Sequence, residues 1–212
     1  MSTRTNQIEN IVSYSNNRND KIEINRVKFE DEYFFKISNN DFMRPFFMTI
    51  VSDSNHWLFI SSNGGLTAGR KDADHALFPY YTDDKITESS ETTGSKTIIH
   101  LSKNEKNHIW EPFSIRSDGF YNVTRNLYKS VYGNKILFEE INHDLDLAFR
   151  YQWSTSNLFG FVRRAWIENL SQEKANLSLL DGIQNILPAG VGADLQNSTS
   201  NLVDAYKRNE LD

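Results

Sequence analysis

The sequence contains no cysteine in 212 residues, so disulfides contribute nothing to its fold. That absence suits a reducing compartment. The first residues, Met1-Ser2-Thr3-Arg4-Thr5-Asn6, lead into polar sequence and lack an apolar signal core. No apolar run reaches the length a membrane-spanning helix needs. No basic patch dominates, and the net charge is −5, which argues against nucleic acid as a partner. These absences together predict a soluble cytoplasmic protein, although a chain that had lost a signal peptide would look the same. Strands do not alternate with helices, and no internal repeat is visible.

The residues that are present are aromatic and strand-forming. Fourteen Phe, nine Tyr and four Trp supply ample core material for one large domain. Residues 1–20 are polar, rich in Asn and Ser, and expected to be flexible or to lie along the surface. Lys21–Val27 and Tyr33–Ile37 then alternate as half-buried strands, the second with Tyr33, Phe35 and Ile37 on one face. Pro45–Val51, Trp57–Ile60, Lys96–Leu101, Phe120–Val131 and Ile136–Ile141 come next as strands between polar turns, while Ile109–Ile115 resists assignment. The clearest strand places Leu145, Leu147, Phe149, Tyr151 and Trp153 on one face, with Asp146, Ala148, Arg150 and Gln152 on the other. Five large apolar residues at period two predict a sheet packed on one side. Phe159–Ile167 and Ala175–Ile183 are expected to pair as an antiparallel hairpin. About ten short strands with polar turns give an all-β antiparallel sandwich or barrel over residues 21–187.

Residues 188–212 differ. Leu187-Pro188-Ala189-Gly190-Val191-Gly192 is a breaker-rich link. Leu195, Leu202, Val203 and Tyr206 then share one helical face, which predicts a helix from about 197 to 209. An apolar helical face needs a cover, so the chain is expected to be the front portion of a longer protein.

The stretch Ser62–Ile86 stands apart. Asn63-Gly64-Gly65 turns the chain sharply, and the residues after it fit neither a strand nor a helix by pattern. The stretch gathers Arg70, Asp72, Asp74, His75, Tyr80, Tyr81, Asp83 and Asp84. A long irregular segment of that composition points to function. One reading is a structural loop whose Phe78, Tyr80 and Tyr81 plug one end of a sandwich. The other is a sugar-facing site, with aromatic faces for a pyranose ring and Asp and Arg for its hydroxyls. Asp72-Ala73-Asp74-His75 holds metal-ligating residue types, but no second cluster supports them, and no metal is expected.

Two of these stretches carry a resemblance. NGGLTAGR followed by FPYYTDDKI, within Asn63–Ile86, resembles the early part of cellobiose phosphorylase-like proteins, inverting glycoside phosphorylases similar to glycoside hydrolase family 94. Val162–Pro188 resembles the late hairpin of the N-terminal β-sandwich domain of large bacterial carbohydrate-active enzymes. The resemblance spans about Phe46 to Asp212. It implies a β-supersandwich of the galactose mutarotase type with a short C-terminal helix, and a catalytic (α/α)₆ barrel downstream that holds the general acid. It also implies that this portion packs on the barrel, helps form a homodimer and lends the loop Gly64–Lys85 to a substrate rim. No catalytic residue and no cofactor is expected in the 212 residues themselves, and inorganic phosphate would be a co-substrate of the full-length enzyme.

Phosphate and sugar chemistry point to particular side chains. Phosphate needs Arg, Lys, His or backbone N–H donors, which Arg70 and Lys71 could supply. Arg163 and Arg164 are adjacent in a strand and face opposite ways, so they cannot act together on one ligand. A mutarotase-like activity would need a base and an acid such as Glu139, Glu140 and His143, but these sit where a strand meets its turn and are expected to be solvated. His100 could point into a concave face. A stand-alone carbohydrate-binding module would use Trp57, Trp110, Trp153 or Trp166 as platforms if they were exposed.

Overall fold

The computed structural model describes residues 21–80, 83–103 and 106–198, with backbone alone at 83 and 84. In chain order the strands are β1 (Glu23–Phe29), β2 (Glu32–Ser38), β3 (Phe47–Thr49), β4 (His56–Ser61), β5 (Leu66–Arg70), β6 (Gly94–Lys103), β7 (Lys106–Trp110), β8 (Val123–Ser130), β9 (Lys135–Asn142), β10 (Leu147–Ser156), β11 (Gly160–Asn169) and β12 (Asn176–Gln184). Two short α-helices, α1 (Asp83–Glu88) and α2 (Ala193–Ser198), and two 3₁₀ turns, Asn40–Phe42 and Ala73–His75, complete the described chain. The flexible segment expected over 1–20, and the helix expected to about 209 beyond Ser198, lie outside the described residues. Among the described residues no helix is long and apolar enough to cross a membrane.

The strands form three antiparallel sheets, with orders β1-β2-β8-β9-β10-β11, β12-β6-β7 and β3-β4-β5. One core joins them. Leu147, Phe149, Tyr151 and Trp153 of β10 meet Ile99, Leu101 and Trp110 from the second sheet and Met48, Leu58, Ile60, Leu66 and Ala68 from the third. The six-stranded sheet is thus one layer, and the two small sheets together are the other. Each of the four β10 side chains is at most 2% exposed. Burial of a large apolar side chain contributes about 2 kcal/mol, so this strand anchors the sandwich. An all-β antiparallel sandwich with a short C-terminal helix is what the patterning predicts, and α2 starts ahead of the expected position.

The outer face of the large sheet has its own small core of Phe34, Tyr128 and Leu137, joined by Val27, Phe29 and Trp166. Phe29 and Trp166 stack with centroids 6.0 Å apart, although β1 and β11 are opposite edges of the six-stranded sheet. Arg164 and Glu30 add an ion pair at 3.4 Å beside them. The sheet therefore curls until its edges meet. That curl decides which face of β2 is buried: Phe34 is 2% exposed, while Tyr33 and Phe35 are about half exposed.

Three expectations need correction. β12 pairs with β6, in the register Leu179↔Ile99 and Asp181↔Thr97, and not with β11. The Asn169 side chain accepts the Ser171 amide and donates to the Glu173 carbonyl, forming a wide turn that carries the chain across to the other layer. Arg163 and Asp181 then bridge the layers at 2.7 Å. Second, the segment expected to be irregular after Gly65 contains a buried strand, β5, and the helix α1. Third, Lys106–Trp110 is a strand, although Ile109–Ile115 gave no assignment.

Candidate functional site

The turn that opens the loop is built by two glycines. Gly64 has φ +95°, and a Cβ there would lie 2.7 Å from the Tyr151 hydroxyl. At Gly65 a Cβ would lie 2.0 Å from the Ile86 carbonyl oxygen. Glycine lets α1 pack directly against the β4–β5 turn, and Asn63 fastens it by donating to the Thr87 carbonyl at 2.8 Å.

After β5 the chain turns at Lys71, which has φ +60°. Asp72 accepts hydrogen bonds from the Asp74 amide at 3.1 Å and from His75 Nδ1 at 2.6 Å. The His75 hydrogen bond holds the Asp72 carboxyl below its usual range. Ala76 then bridges back to Gly69, and Phe78 is fully buried with its ring edge on Trp153 at 6.3 Å. This part of the loop does plug the sandwich.

The remainder of the loop seats the C-terminal segment. Leu187 donates to the Leu77 carbonyl at 2.8 Å. Asp74 Oδ1 accepts the Ala193 amide at 2.8 Å, which satisfies a donor in the first turn of α2. The Tyr80 amide donates to Gln196 Oε1 at 3.1 Å. A Cβ at Gly192 would lie 2.9 Å from Asp74 Oδ1, so the fit is close. The structure thus brings together Asp72 with His75, Asp74 with α2, and Tyr80 with Gln196. Arg70 stands exposed at the end of β5, opposite His56 in register. Tyr81 lies outside the described residues, and Asp83 and Asp84 open α1. Among the described residues no three His, Asp or Glu side chains converge as a metal would require.

Tyr80 also ends an aromatic row on the outer face of β3-β4-β5. Its ring meets Trp57 edge-on at 5.7 Å, Trp57 meets Phe59 at 5.8 Å, and Phe59 meets Phe47 at 5.4 Å. The Trp57, Phe59 and Phe47 planes stay within 32° and 22° of their neighbours. Tyr80 and Phe47 are about half exposed, whereas Trp110 and Trp153 are buried in the core.

The carboxylates of β9 are not solvated as expected. Glu139 and Glu140 are 3% and 1% exposed and point to opposite faces of the large sheet. Glu139 accepts from Asn126 at 2.7 Å, the Tyr128 hydroxyl at 2.7 Å and Arg150 Nε at 2.5 Å. Glu140 accepts from Trp110 Nε1 at 2.8 Å and from the Phe113 amide and Arg125 Nε at 2.7 Å. Burial alone would raise the Glu139 pKa. The hydrogen bonds from Tyr128 and Asn126 and the Arg150 charge outweigh that and hold it low. The Glu139 partners sit on β8 and β10, opposite it by register, and those of Glu140 come from β7, from the segment after it and from β8, so no local pattern joins them in sequence. His143 bonds Thr124 at 2.8 Å, and His100 is exposed. Arg163 and Arg164 do face opposite ways, toward Asp181 and Glu30.

Beside Gly64 and the buried Tyr151 lies a small cavity of about 20 Å³, lined also by Asn63, Lys96 and Phe113. It has room for about one water molecule. Neither a protein-family model nor a curated protein matches this chain.

Proposed function

We propose that this chain is a non-catalytic β-sandwich domain of a carbohydrate-active enzyme of the glycoside phosphorylase or hydrolase kind. Its part is to seat the polypeptide leading into a catalytic domain and to lend the Gly64–Lys85 loop to the substrate rim. One observation carries the reading: the loop most suited to sugar chemistry holds the C-terminal segment through Leu77, Asp74 and Tyr80. A loop so placed joins the sandwich to its own C-terminal segment, Leu187 to Gln196. The resemblance of Asn63–Ile86 and Val162–Pro188 to such enzymes supports the same reading.

The buried acids support a supporting role as well. Inverting phosphorolysis needs a carboxylic acid free to protonate the leaving oxygen while phosphate attacks from the other side. Glu139 and Glu140 are each closed off by an arginine and two further donors. In this reading the general acid belongs to the downstream domain, and inorganic phosphate is its co-substrate. Arg70, exposed at the end of β5, is in this reading the side chain that reaches a ligand on the rim.

The aromatic row from Phe47 to Tyr80 favours a second reading, a stand-alone carbohydrate-binding module. Titration of the chain with β-linked disaccharides, followed by tryptophan fluorescence, separates the two. The first reading predicts no saturable change with or without phosphate. Saturable quenching that is lost in Trp57→Ala would contradict it and favour the binding module.

A further inference from the structure

The loop between β3 and β4 builds a hydrogen-bond chain that ends on a histidine. The Ser54 amide donates to Ser52 Oγ at 3.2 Å, the Ser52 and Ser54 hydroxyls share a bond at 3.0 Å, and Ser54 Oγ lies 2.6 Å from His56 Nδ1. Ser52 Oγ accepts the amide proton, so it passes its own proton to Ser54, and Ser54 passes its proton to the ring. Which imidazole nitrogen keeps its hydrogen is set by the bond that the other one makes. Nδ1 is then the acceptor and Nε2 carries the proton. His56 is thereby a donor without being charged.

Nε2 has no hydrogen-bond partner of its own among the described residues. It faces the β10–β11 turn at Gly160, where a Cβ would lie 3.2 Å from it. Glycine keeps that approach open. The Phe161 ring meets the imidazole edge-on at 5.3 Å and fixes its plane. Across the β4–β5 ladder His56 stands directly opposite Arg70. Opposed residues of an antiparallel pair put their side chains on one face, with Cβ atoms about 5 Å apart. Leu58 and Ile60, on the same face of β4, lie in the core, so the pair sits at the open end between the two layers. Arg70 is exposed, and among the described residues its guanidinium has no ion-pair partner. The nearest acids in sequence are engaged elsewhere: Asp53 accepts from Asn157 at 3.3 Å, and Asp72 accepts from His75 at 2.6 Å.

We propose that His56 and Arg70 form an oxyanion site at this end of the sandwich, and that its ligand is inorganic phosphate. The arginine fork takes two oxygens side by side, and the Nε2–H of His56 takes a third. A carboxylate offers only two oxygens, both used by the fork, so the pair favours phosphate. The choice of ligand rests on the rim role proposed for Arg70 and deepens it: His56, which lies outside the loop, is the second phosphate donor. Binding is read on the 212-residue chain without turnover. The site can therefore fail while the domain reading stands, and phosphate can bind where the domain reading fails.

The test is nitrogen NMR of the histidine rings at about pH 8, where an ordinary imidazole is neutral. Inorganic phosphate is titrated into the whole chain, with sodium chloride holding the ionic strength constant. Before phosphate is added, His56 is expected to be protonated on Nε2. Phosphate is expected to shift that nitrogen saturably, and acetate to bind about tenfold more weakly. Arg70→Gln is expected to weaken phosphate about tenfold, the ordinary effect of losing hydrogen bonds between charged groups. Ser54→Ala, which releases Nδ1, is expected to weaken it severalfold with an unchanged circular dichroism spectrum. A His56 ring protonated on Nδ1, a signal that phosphate leaves unmoved, equal binding of acetate, or full phosphate binding in Arg70→Gln would overturn the proposal.

Discussion

Asp74 Oδ1 accepts the backbone amide of Ala193 at 2.8 Å, joining two residues 119 positions apart. It is the point at which the loop after β5 holds the segment leaving the sandwich. Asp74→Ala is expected to weaken the first turn of α2 by about 1 kcal/mol, the usual cost of losing a helix-capping acceptor. Amide hydrogen exchange checks this. Ala193–Ser198 should exchange about fivefold faster, while amides of β9 and β10 stay unchanged.

The Glu139–Arg150 pair makes a stability prediction. Glu139→Ala removes one partner of a buried ion pair and leaves Asn126, Tyr128 and Arg150 without it. Loss of one member of such a pair costs about 3–5 kcal/mol, and Arg150 keeps Glu168 at 2.6 Å, so the lower end applies. Urea unfolding measures it, and Glu139→Gln, which keeps an acceptor, is expected to cost less.

The same carboxylate gives a pH dependence. Its folded pKa lies below the ordinary 4.5, so the stabilisation is fully present above pH 4.5. It is lost as the pH falls through the lower folded value, because the unfolded chain takes up the proton first. Asp181 behaves alike from its ordinary 3.8, since the bonds from Arg163 and Thr97 overcome its burial. Thermal melts from pH 7 down to 3 should show falling stability below about 4.5, with a shallower fall in Glu139→Gln.

The curl of the large sheet rests on Phe29 and Trp166. Trp166→Ala is expected to cost about 2 kcal/mol, less than a fully buried tryptophan because Trp166 is half-buried. It should also speed exchange in β1 and β2, since the β1 edge loses its contact with β11. Equal protection of β1 in the variant would show that the hairpin holds without this stack.

Much of the architecture was legible because its strands alternate. The face of β10 from Leu147 to Trp153 reads directly from the residues, and it is the face that fills the core. Pairing was less legible. Leu177, Leu179 and Ile183 match β11 as well as β6 by apolar pattern, and only the wide turn after Asn169 decides. β5 escaped notice because Leu66-Thr67-Ala68-Gly69 is short and ends in a glycine that Trp57 covers, with Trp57 Cζ2 2.5 Å from where a Cβ would sit. Of the candidate site, Asp72, Asp74, His75 and Tyr80 have the residue types of ligand chemistry, and the structure shows their bonds to the fold. A sequence names donors and acceptors but does not say which are already taken.

Arg70 separates the rim role from the seating role. Its exposure predicts that Arg70→Ala changes the stability of the chain by less than about 0.5 kcal/mol. In a longer polypeptide carrying the proposed catalytic domain, it is expected to raise KM for phosphate severalfold with kcat nearly unchanged. An unchanged KM would remove Arg70 from the substrate rim.

The central claim is that this chain supports a carbohydrate-active enzyme without being its catalytic centre. The most direct measurement is the release of sugar 1-phosphate from β-linked disaccharides in the presence of phosphate. It is run on the 212-residue chain and on a longer polypeptide that carries it. The account predicts release by the longer form alone. Release by the 212-residue chain itself would contradict it and place the reacting carboxylate among the residues described above.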